Sequence, residues 1–378
     1  MTTAQGAEKN LIIDTDVGVD DALAIALALT EPSVHVHAIT TVFGNVETQQ
    51  VVRNAATITK LFGKPLVPIY IGAQQPLVAA IEPIRWQGHG KNGMGGSSFD
   101  DDVKELYPDD PNLPNAVSES AALALVRMVT ERPNFYDILA LGPLTNIALA
   151  CKIDPDFPNK VRHLVWMGGS ASGKGNVTVC AEFNAHSDPD AAHVVLESWA
   201  DGKMTMVPWE LCVYGALSWA QYHHLTDADS RLARFLKKIA LAYETYSCGS
   251  IRPNRYYQPP EDAKGSDTDT EHKEHQVLSS HSKFCPADVY ALFAYLHPEC
   301  VTRCKTAHCM IETSGRLTKG YIAVDWFGAK KNAPKVRILR NVDRDAFAEY
   351  MAKRIGADVQ VMKQLALPLP SQPSDHAQ

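Results

Sequence analysis

The sequence predicts an α/β fold, with an open, doubly wound and mostly parallel sheet flanked by helices, in a single large domain with insertions. Two observations lead to this prediction. Short apolar runs of strand length alternate with longer helix-like runs from residue 11 onward, which is typical of parallel strands joined by crossover helices. Several apolar runs also end in glycine, aspartate or asparagine, as expected where parallel strands open onto a ligand site.

The N-terminal half shows this alternation most clearly. Its first apolar run, 11–14, precedes a helix-like run that begins with Asp20 and Asp21, and acidic residues are favoured in the first turn of a helix. The following runs repeat this order. In this half we predict strands at 11–14, 34–42, 67–71, 136–141, 161–167 and 203–207, and helices at 20–29, 49–62, 118–130, 144–151 and 190–198.

Two stretches interrupt the alternation. Residues 74–114 include a glycine-rich run around His89, which predicts a mobile flap. Residues 252–282 are rich in charges and prolines, which predicts a polar insertion. Beyond it we predict a helix at 287–295, strands at 307–312, 321–326 and 336–339, and a helix at 346–355. We expect one domain over 1–368 and a disordered tail over 369–378.

Charge and composition exclude several classes of partner. The chain has 36 Lys+Arg against 43 Asp+Glu, a formal net charge of −7, and no basic run, so we do not expect it to bind nucleic acid. No stretch approaches the roughly 20 apolar residues that span a bilayer, and the N-terminus lacks the features of a secretory signal. The eight cysteines are scattered, which favours reduced thiols and a cytoplasmic location.

Four aspartates, Asp14, Asp16, Asp20 and Asp21, lie between the first strand and the first helix. Carboxylates packed this closely repel one another unless a cation or strong hydrogen-bond donors balance them. All the candidate ligand atoms are oxygens, which favours calcium or magnesium over zinc. The sequence therefore predicts a site for a hard cation.

Other interpretations of the metal-binding residues are weaker. An EF-hand loop counted from Asp14 needs glutamate at its twelfth position, where this chain has Ile25. A haloacid-dehalogenase-like phosphohydrolase would use Asp14 and Asp16 with magnesium, but it would not require Asp20 and Asp21. Elsewhere, a zinc site is conceivable but lacks a CxxC pair; its residues would be Cys300, Cys304, His308 and Cys309.

The motifs, taken in order, resemble those of the nucleoside hydrolases, the inosine-uridine-preferring nucleoside N-ribohydrolases. The family signature DxDxGxDDAxAI matches residues 14–25. Further matching segments are 41–45 with 53–55, 142–148, 167–169 with 175–178, 181–184, 188–192 and 286–288. The resemblance is good over 11–210 and fades through the insertion. It implies a calcium-assisted hydrolysis of ribonucleosides to ribose and free base.

The resemblance also implies a role for each site residue. Asp16 would be both a calcium ligand and the general base, and Asp14 would support it. The other implied ligands are Asp21, Asp288 and the backbone carbonyl of Leu141. The implied substrate contacts are Asp20 at the 2′-hydroxyl, Asn184 near the 3′-hydroxyl, Asn176 and Glu182 at the 5′-hydroxyl, Asn45 and Met167 along the pocket, and the catalytic His89 from the flap.

One position departs from the family pattern. Inosine-uridine-type members have a histidine directly before the last calcium ligand, where it is thought to protonate the departing base, and this chain has Ala287. Either another group between Tyr243 and Asp288 protonates the base, or the base leaves by another route such as stacking that raises its basicity. We predict Arg252 and Tyr257 as base contacts. The other candidates are Tyr246, Arg255, Tyr256 and His281. An arginine or tyrosine can hydrogen-bond a 6-oxopurine, which favours inosine and guanosine as substrates.

Two further expectations follow from the resemblance. A catalytically weak nucleoside- or ribose-binding protein could retain the pocket and lose the acid, although the intact Asp16 favours an enzyme. Family members are usually dimers or tetramers, so the resemblance implies a homodimer or homotetramer.

Overall fold

The computed structural model describes residues 8–78, 85–106, 116–199, 201–248 and 283–366. Its main feature is a nine-stranded sheet in the order β4-β3-β2-β1-β5-β6-β7-β11-β8. Every neighbouring pair in it is parallel except β11 with β8, and β9 and β10 form a separate antiparallel pair. The strands are β1 Lys9–Thr15, β2 Val34–Thr41, β3 Ile69–Ile71, β4 Ala116–Ser120, β5 Asp137–Ala140, β6 His163–Met167, β7 Met204–Val207, β8 Arg303–Ala307, β9 Cys309–Ile311, β10 Ile322–Val324 and β11 Val336–Asn341.

Helices connect the strands and cover the sheet, which confirms the predicted α/β class. Short 3₁₀ turns lie at Gln87–His89 and Pro298–Cys300. The α-helices are α1 Val19–Thr30, α2 Thr48–Leu61, α3 Asp100–Leu106, α4 Ala121–Glu131, α5 Thr145–Ile153, α6 Phe157–Lys160, α7 Phe183–Ser187, α8 Pro189–Ser198, α9 Trp209–Gly215, α10 Trp219–Thr226, α11 Arg231–Ile239, α12 Leu241–Cys248, α13 Ala287–Leu296, α14 Arg344–Ile355 and α15 Val359–Gln364. None of the helices in the described ranges is long and apolar enough to cross a membrane.

The central helix α1 is buried nearly all round. Its alanines at 22, 24, 26 and 28 are fully buried, and it packs against α13, α2 and α11. Small side chains on several faces let neighbouring helices approach closely. The N-terminal turns of α1 and α13 are thereby brought together at the carboxyl edge of the sheet.

The predicted boundaries fail at three places. Ala116–Ser120 forms an edge strand with alternating exposure, so the helix predicted at 118–130 begins at Ala121. The strand predicted at 307–312 is two strands, because β8 ends at Ala307 and β9 begins at Cys309. Helices α9 to α12 were not predicted. The insertion at 252–282, part of the flap and the tail at 369–378 lie outside the described residues.

Candidate functional site

Acidic residues from two helices meet at the carboxyl end of β1. Asp20 and Asp21 lie in the first turn of α1, and Asp288 lies in the first turn of α13. Oxygens of these three carboxylates all lie within 4.8 Å of one another. Within the described ranges this is the only group of three or more His, Cys, Asp or Glu side chains that could share a metal ion. The structure thus brings two predicted ligands together with Asp20, for which a ribose contact was predicted.

The carboxylate of Asp21 is fixed by three donors. Its Oδ1 accepts a hydrogen bond from the Thr15 hydroxyl at 2.6 Å, and its Oδ2 accepts one from the Gly18 backbone N–H at 2.8 Å. The Asn45 side-chain amide donates to Oδ2 at 3.2 Å. A carboxylate offers about four lone-pair sites, so Asp21 keeps capacity for a cation while its orientation is set.

Asp16 is fully buried, and only one of its two carboxylate oxygens accepts a hydrogen bond from a described residue. Its Oδ2 accepts a hydrogen bond from the Asn45 backbone N–H at 2.7 Å. Its Oδ1 is buried and has no hydrogen-bond partner within the described part of the chain. A Cβ on Gly44 would lie 2.0 Å from Asp16 Oδ2, so only glycine permits this approach. Since a buried carboxylate oxygen without a partner is costly, Oδ1 is suited to bind a cation or a water proton.

Behind these ligands lies a support that the sequence only partly indicated. Asp14 Oδ1 accepts hydrogen bonds from Thr40 Oγ1 at 2.5 Å and from Asn146 Nδ2 at 2.8 Å. The Asn146 amide also donates to the Thr41 carbonyl and accepts from the Ala73 backbone N–H. This network joins β1, β2 and α5, and it agrees with a supporting position for Asp14.

The electrostatics of the acidic cluster favour a bound cation. Burial raises the pKa of Asp14 to about 7, and it raises that of Asp20 to about 6. For Asp16 and Asp288 burial is again the largest cause, and neighbouring carboxylates push the pKa higher still. A divalent cation would offset both burial and repulsion, and an all-oxygen donor set suits calcium. The residues present therefore fit the predicted ion.

The side chain of Asn184 connects two strand ends. Its Nδ2 donates to the Leu141 carbonyl at 2.8 Å and to the Met167 carbonyl at 3.0 Å. Its Oδ1 is buried without a partner among the described residues. A backbone carbonyl has two lone pairs, so the Leu141 oxygen still has one available. Asn184 Oδ1 is a free acceptor suited to a sugar hydroxyl.

Glu182 organises the loop that carries Asn184. It is the N-cap of α7 and accepts backbone N–H groups of Asn184 at 2.8 Å and Ala185 at 3.0 Å. It also accepts the Gly169 N–H at 2.7 Å. Burial raises its pKa to about 7 despite these three donors. Asn176 is tied to the same loop, because its Oδ1 accepts the Phe183 N–H at 2.9 Å.

The flap histidine reaches the acidic cluster. The Val19 backbone N–H donates to Nδ1 of His89 at 3.0 Å, and Nδ1 lies 4.0 Å from Asp20 Oδ1. Burial lowers the pKa of His89 to about 4. The ring is therefore neutral at neutral pH with its proton on Nε2, which makes it a hydrogen-bond donor. The described flap also docks on α11, where Lys238 Nζ donates to Asp102 Oδ2 at 2.6 Å.

An aromatic group packs beside the flap histidine. Trp86 packs edge to face against His89 and Tyr243, with ring centroids 4.9 Å and 4.8 Å apart. The buried Tyr243 hydroxyl accepts the Cys285 backbone N–H at 3.1 Å, which leaves its own proton to donate. The predicted base contacts Arg252 and Tyr257 lie outside the described residues.

The alternative zinc hypothesis receives no support. Cys304 is exposed, Cys309 is buried, and His308 Nδ1 is paired with the Pro334 carbonyl at 2.9 Å. In the part of the chain that the structure describes, these side chains do not form a group that could hold an ion.

Sequence reasoning missed Thr15, Thr40 and Asn146 as members of the site. Asn146 stands in the matching segment 142–148, and Thr40 lies near the end of β2. A polar residue near the carboxyl end of a central parallel strand is a usable signal for a site contact. Its specific partner depends on the strand order, which one sequence does not give.

Comparison with known proteins agrees with this geometry. A family model described as "Inosine-uridine preferring nucleoside hydrolase" matches residues 11–349. The chain is 44% identical to "Probable uridine nucleosidase 2" of Oryza sativa subsp. japonica over 194 residues, which are 51% of this chain and 55% of that protein. It is 36% identical to the "Inosine-uridine preferring nucleoside hydrolase" of Crithidia fasciculata over 251 residues, 66% and 74% of the two chains.

A solved structure is similar over nearly the whole length. The "Inosine-Guanosine Nucleoside Hydrolase (IG-NH)" superposes with a TM-score of 0.75 at 29% identity, over 93% of this chain and all of that one. The matches to three plant uridine nucleosidases are shorter and span about half the length of those relatives.

Proposed function

Because this chain belongs to the inosine-uridine preferring nucleoside hydrolase family, we propose that it hydrolyses the N-glycosidic bond of ribonucleosides, releasing ribose and the free base. The observation that carries the proposal is the unpaired Oδ1 of the buried Asp16 beside three clustered carboxylates. Such a site suits water activation next to a sugar, since glycosidic cleavage needs a base and a clamp for an oxocarbenium-like sugar.

We assign a calcium ion to Asp16, Asp21, Asp288 and the Leu141 carbonyl. When bound, calcium supplies a water of lowered pKa and a hold on sugar hydroxyls. The protein fixes its own part beforehand, because Thr15, Gly18 and Asn45 orient Asp21 and Asp16. Little reorganisation is then needed when the substrate arrives.

Asp16 is proposed as the general base. Its Oδ2 is held by the Asn45 N–H, so Oδ1 is the oxygen left to take the proton of the attacking water. Burial and Asp21 raise the pKa of this carboxyl, and a bound cation would favour its ionised, proton-accepting form.

The ribose site is proposed beside the acidic cluster. Asp20 accepts the 2′-hydroxyl proton and Asn184 Oδ1 that of the 3′-hydroxyl, while Asn176 and Glu182 reach the 5′-hydroxyl. Asn45 and Met167 line the pocket. The neutral His89 donates from Nε2 to the substrate, which is consistent with its docking on the Val19 N–H.

We propose that the departing base is contacted and protonated by residues other than those of the family pattern. Ala287 is buried and has no group that could carry a proton. We propose purine nucleosides, inosine and guanosine in particular, with Arg252 and Tyr257 as base contacts. Uridine is the rival substrate, because several relatives are named uridine nucleosidases. A comparison of kcat/KM for inosine and uridine decides between them, and equal values would overturn the purine preference.

The activity itself is tested by release of ribose from inosine. We expect calcium-dependent turnover that a chelator abolishes, and a loss on the order of 1000-fold in kcat for Asp16→Asn, as for removal of a general base. Asp229→Asn is the matched control, because the Asp229 side chain is 99% exposed.

Two other outcomes would replace the proposal. Tight ribose binding without turnover of inosine, guanosine or uridine would favour a nucleoside- or ribose-binding protein. Magnesium-dependent release of phosphate from nucleotides would favour a haloacid-dehalogenase-like phosphohydrolase.

We also propose a homodimer or homotetramer in the cytoplasm, by analogy with the family. Light scattering on the purified protein tests the assembly, and a monomer at micromolar concentration would contradict it. Localisation of a tagged chain tests the compartment.

A further inference from the structure

A cavity lies at the edge of the sheet opposite the acidic cluster. Its volume is about 330 Å³, and it opens between the amino ends of the strands β1, β5, β6, β7 and β11 and the last turn of α13. Three of its lining residues are cationic: Lys9, Arg162 and Arg337. We call it the amino-end cavity. It is separate from the acidic cluster, because Lys9 and Asp14 are five residues apart on β1, which is roughly 17 Å at strand spacing.

The one buried acid in this cavity is already neutralised. Arg162 forms a two-pronged ion pair with Asp137, in which Nε donates to Oδ1 at 2.8 Å and NH2 donates to Oδ2. The Tyr295 hydroxyl also donates to Asp137 Oδ2 at 2.7 Å. Asp137 therefore offers little attraction to further cations and does not repel an anion as a free carboxylate would.

Two cations of the lining, Lys9 and Arg337, form no direct ion pair with a described residue, although the carboxylates of Asp137 and Glu299 act on Lys9 at longer range. Lys9 Nζ donates only to the Tyr295 carbonyl, at 3.1 Å, and lies over the Tyr295 ring. Arg337 is half-buried, and its guanidinium group makes no hydrogen bond or ion pair with a described residue. The remaining acidic residue of the lining, Glu8, is exposed. A half-buried guanidinium without partners presents five donors in a fixed fork that matches a phosphate or carboxylate.

Apart from His163, whose Nε2 is paired with the Thr205 hydroxyl at 2.9 Å, the rest of the lining is apolar or hydroxylic. Val165, Leu339 and Ala294 are buried, and they supply an apolar wall beside the charged groups. A pocket with an apolar wall and a few convergent polar groups is the common form of a small-molecule site. Its size is at the lower end of the range for such sites.

We propose that the amino-end cavity binds a small organic anion, with an apolar body against Val165 and Leu339 and a terminal phosphate or carboxylate held by Arg337 and Lys9. The site is independent of the proposed hydrolysis. It does not require calcium, and it does not recognise a vicinal diol as the ribose site does.

Calorimetric titration with phenyl phosphate at low ionic strength tests this proposal, because the probe has no diol for the ribose site. We expect saturable one-site binding that neither inosine nor ribose displaces. Benzoate, tested in parallel, separates a carboxylate from a phosphate as the preferred anion, and the uncharged benzyl alcohol should bind at least tenfold more weakly than the better of the two, as a lost charge-assisted contact predicts.

Variants locate the binding in the cavity. Arg337→Gln and Lys9→Gln should each raise the dissociation constant by about tenfold. Arg340→Gln is the matched control on the same strand, because Arg340 packs over Trp326 instead. Arg162 is not a suitable position for such a variant, because its substitution would leave the buried Asp137 without its ion-pair partner. Unchanged binding in Arg337→Gln, displacement by inosine, or no binding of either anion would overturn the proposal.

Discussion

The Val19 backbone N–H donates a hydrogen bond to Nδ1 of His89 at 3.0 Å, and this contact ties the flap to the first turn of α1. It fixes the proton of the neutral imidazole on Nε2. Because burial lowers the pKa of His89 to about 4, we expect nitrogen NMR to show the Nε2-protonated tautomer from pH 5 to pH 8. A titration midpoint above pH 6 for this ring would contradict the assignment.

Removing the amide of Asn146 should weaken both stability and catalysis. Asn146→Ala removes the side-chain donor to the Thr41 carbonyl, the acceptor of the Ala73 N–H and one of the two donors to Asp14 Oδ1. Each buried group left unsatisfied costs about 1–3 kcal/mol. We expect a loss of at least about 2 kcal/mol in the free energy of unfolding by urea denaturation. The control is Asn159→Ala, whose amide makes an exposed hydrogen bond to Asp156. Equal losses in the two variants would contradict the role of the network.

Substitution of Asp288 should have opposite effects with and without calcium. In the chelated protein, Asp288→Asn relieves repulsion from Asp20 and Asp21, so we expect a melting temperature equal to or above that of the wild type. With calcium, the variant loses a ligand and should lack the stabilisation that ion binding gives the wild type. Thermal melts with a chelator and with calcium, and with Asp229→Asn as control, measure both effects. A variant less stable than the wild type in the chelator would refute the account of the cluster as a set of repelling charges.

Glu182 should make stability fall as the pH rises. Its pKa is raised by burial from 4.5 to about 7, so the folded state binds the proton more tightly than the unfolded one. The resulting stabilisation is fully present below about pH 4.5 and is lost as the pH rises through about 7, by up to about 3 kcal/mol.

Glu182→Gln tests this dependence. The side chain introduced by this substitution does not titrate. Its amide N–H would face one of the three backbone N–H groups that Glu182 accepts, so we expect a lower free energy of unfolding than in the wild type at every pH. Its stability deficit should be largest near pH 5 and should narrow towards pH 8 in urea denaturation. A deficit that is constant with pH would contradict the raised pKa.

Substrates lacking the 2′-hydroxyl should be poor. If Asp20 accepts the 2′-hydroxyl proton, 2′-deoxyinosine deprives this half-buried carboxylate of that hydrogen bond, and kcat/KM should fall roughly 100-fold or more relative to inosine. Asp20→Asn should reduce this discrimination, and 5′-deoxyinosine serves as the comparison for a different hydroxyl. Comparable hydrolysis of inosine and 2′-deoxyinosine would remove Asp20 from the ribose site.

The strands and helices near the site were largely predictable, because their periodicity is strong. The run from Leu11 to Asp14 is apolar on both faces, as a central parallel strand requires, and Asp20 and Asp21 mark the start of α1. The edge strand Ala116–Ser120 was missed because its side chains alternate between half-buried and exposed positions. Its pairing with β3 depends on tertiary context that local pattern does not carry.

The membership of the site was predictable only in part. The aspartates stand together in the sequence, whereas Asn146 reaches Asp14 across 132 positions of the chain. No local pattern encodes such a contact. The same holds for the Val19 contact of His89, which depends on how the flap folds back onto α1.

The alanines of α1 have a consequence for ion selection. Asp20 and Asp21 move with α1, and Asp288 moves with α13, so the thickness of the side chains between these helices sets the width of the acidic cluster. Calcium–oxygen distances are about 2.3–2.6 Å and magnesium–oxygen distances about 2.0–2.1 Å, a difference smaller than one methyl group. If the cluster binds an ion as proposed, the ionic radius that it accepts therefore depends on methyl side chains of α1 that are not ligands, and repacking them is a way to change ion selection without altering a ligand.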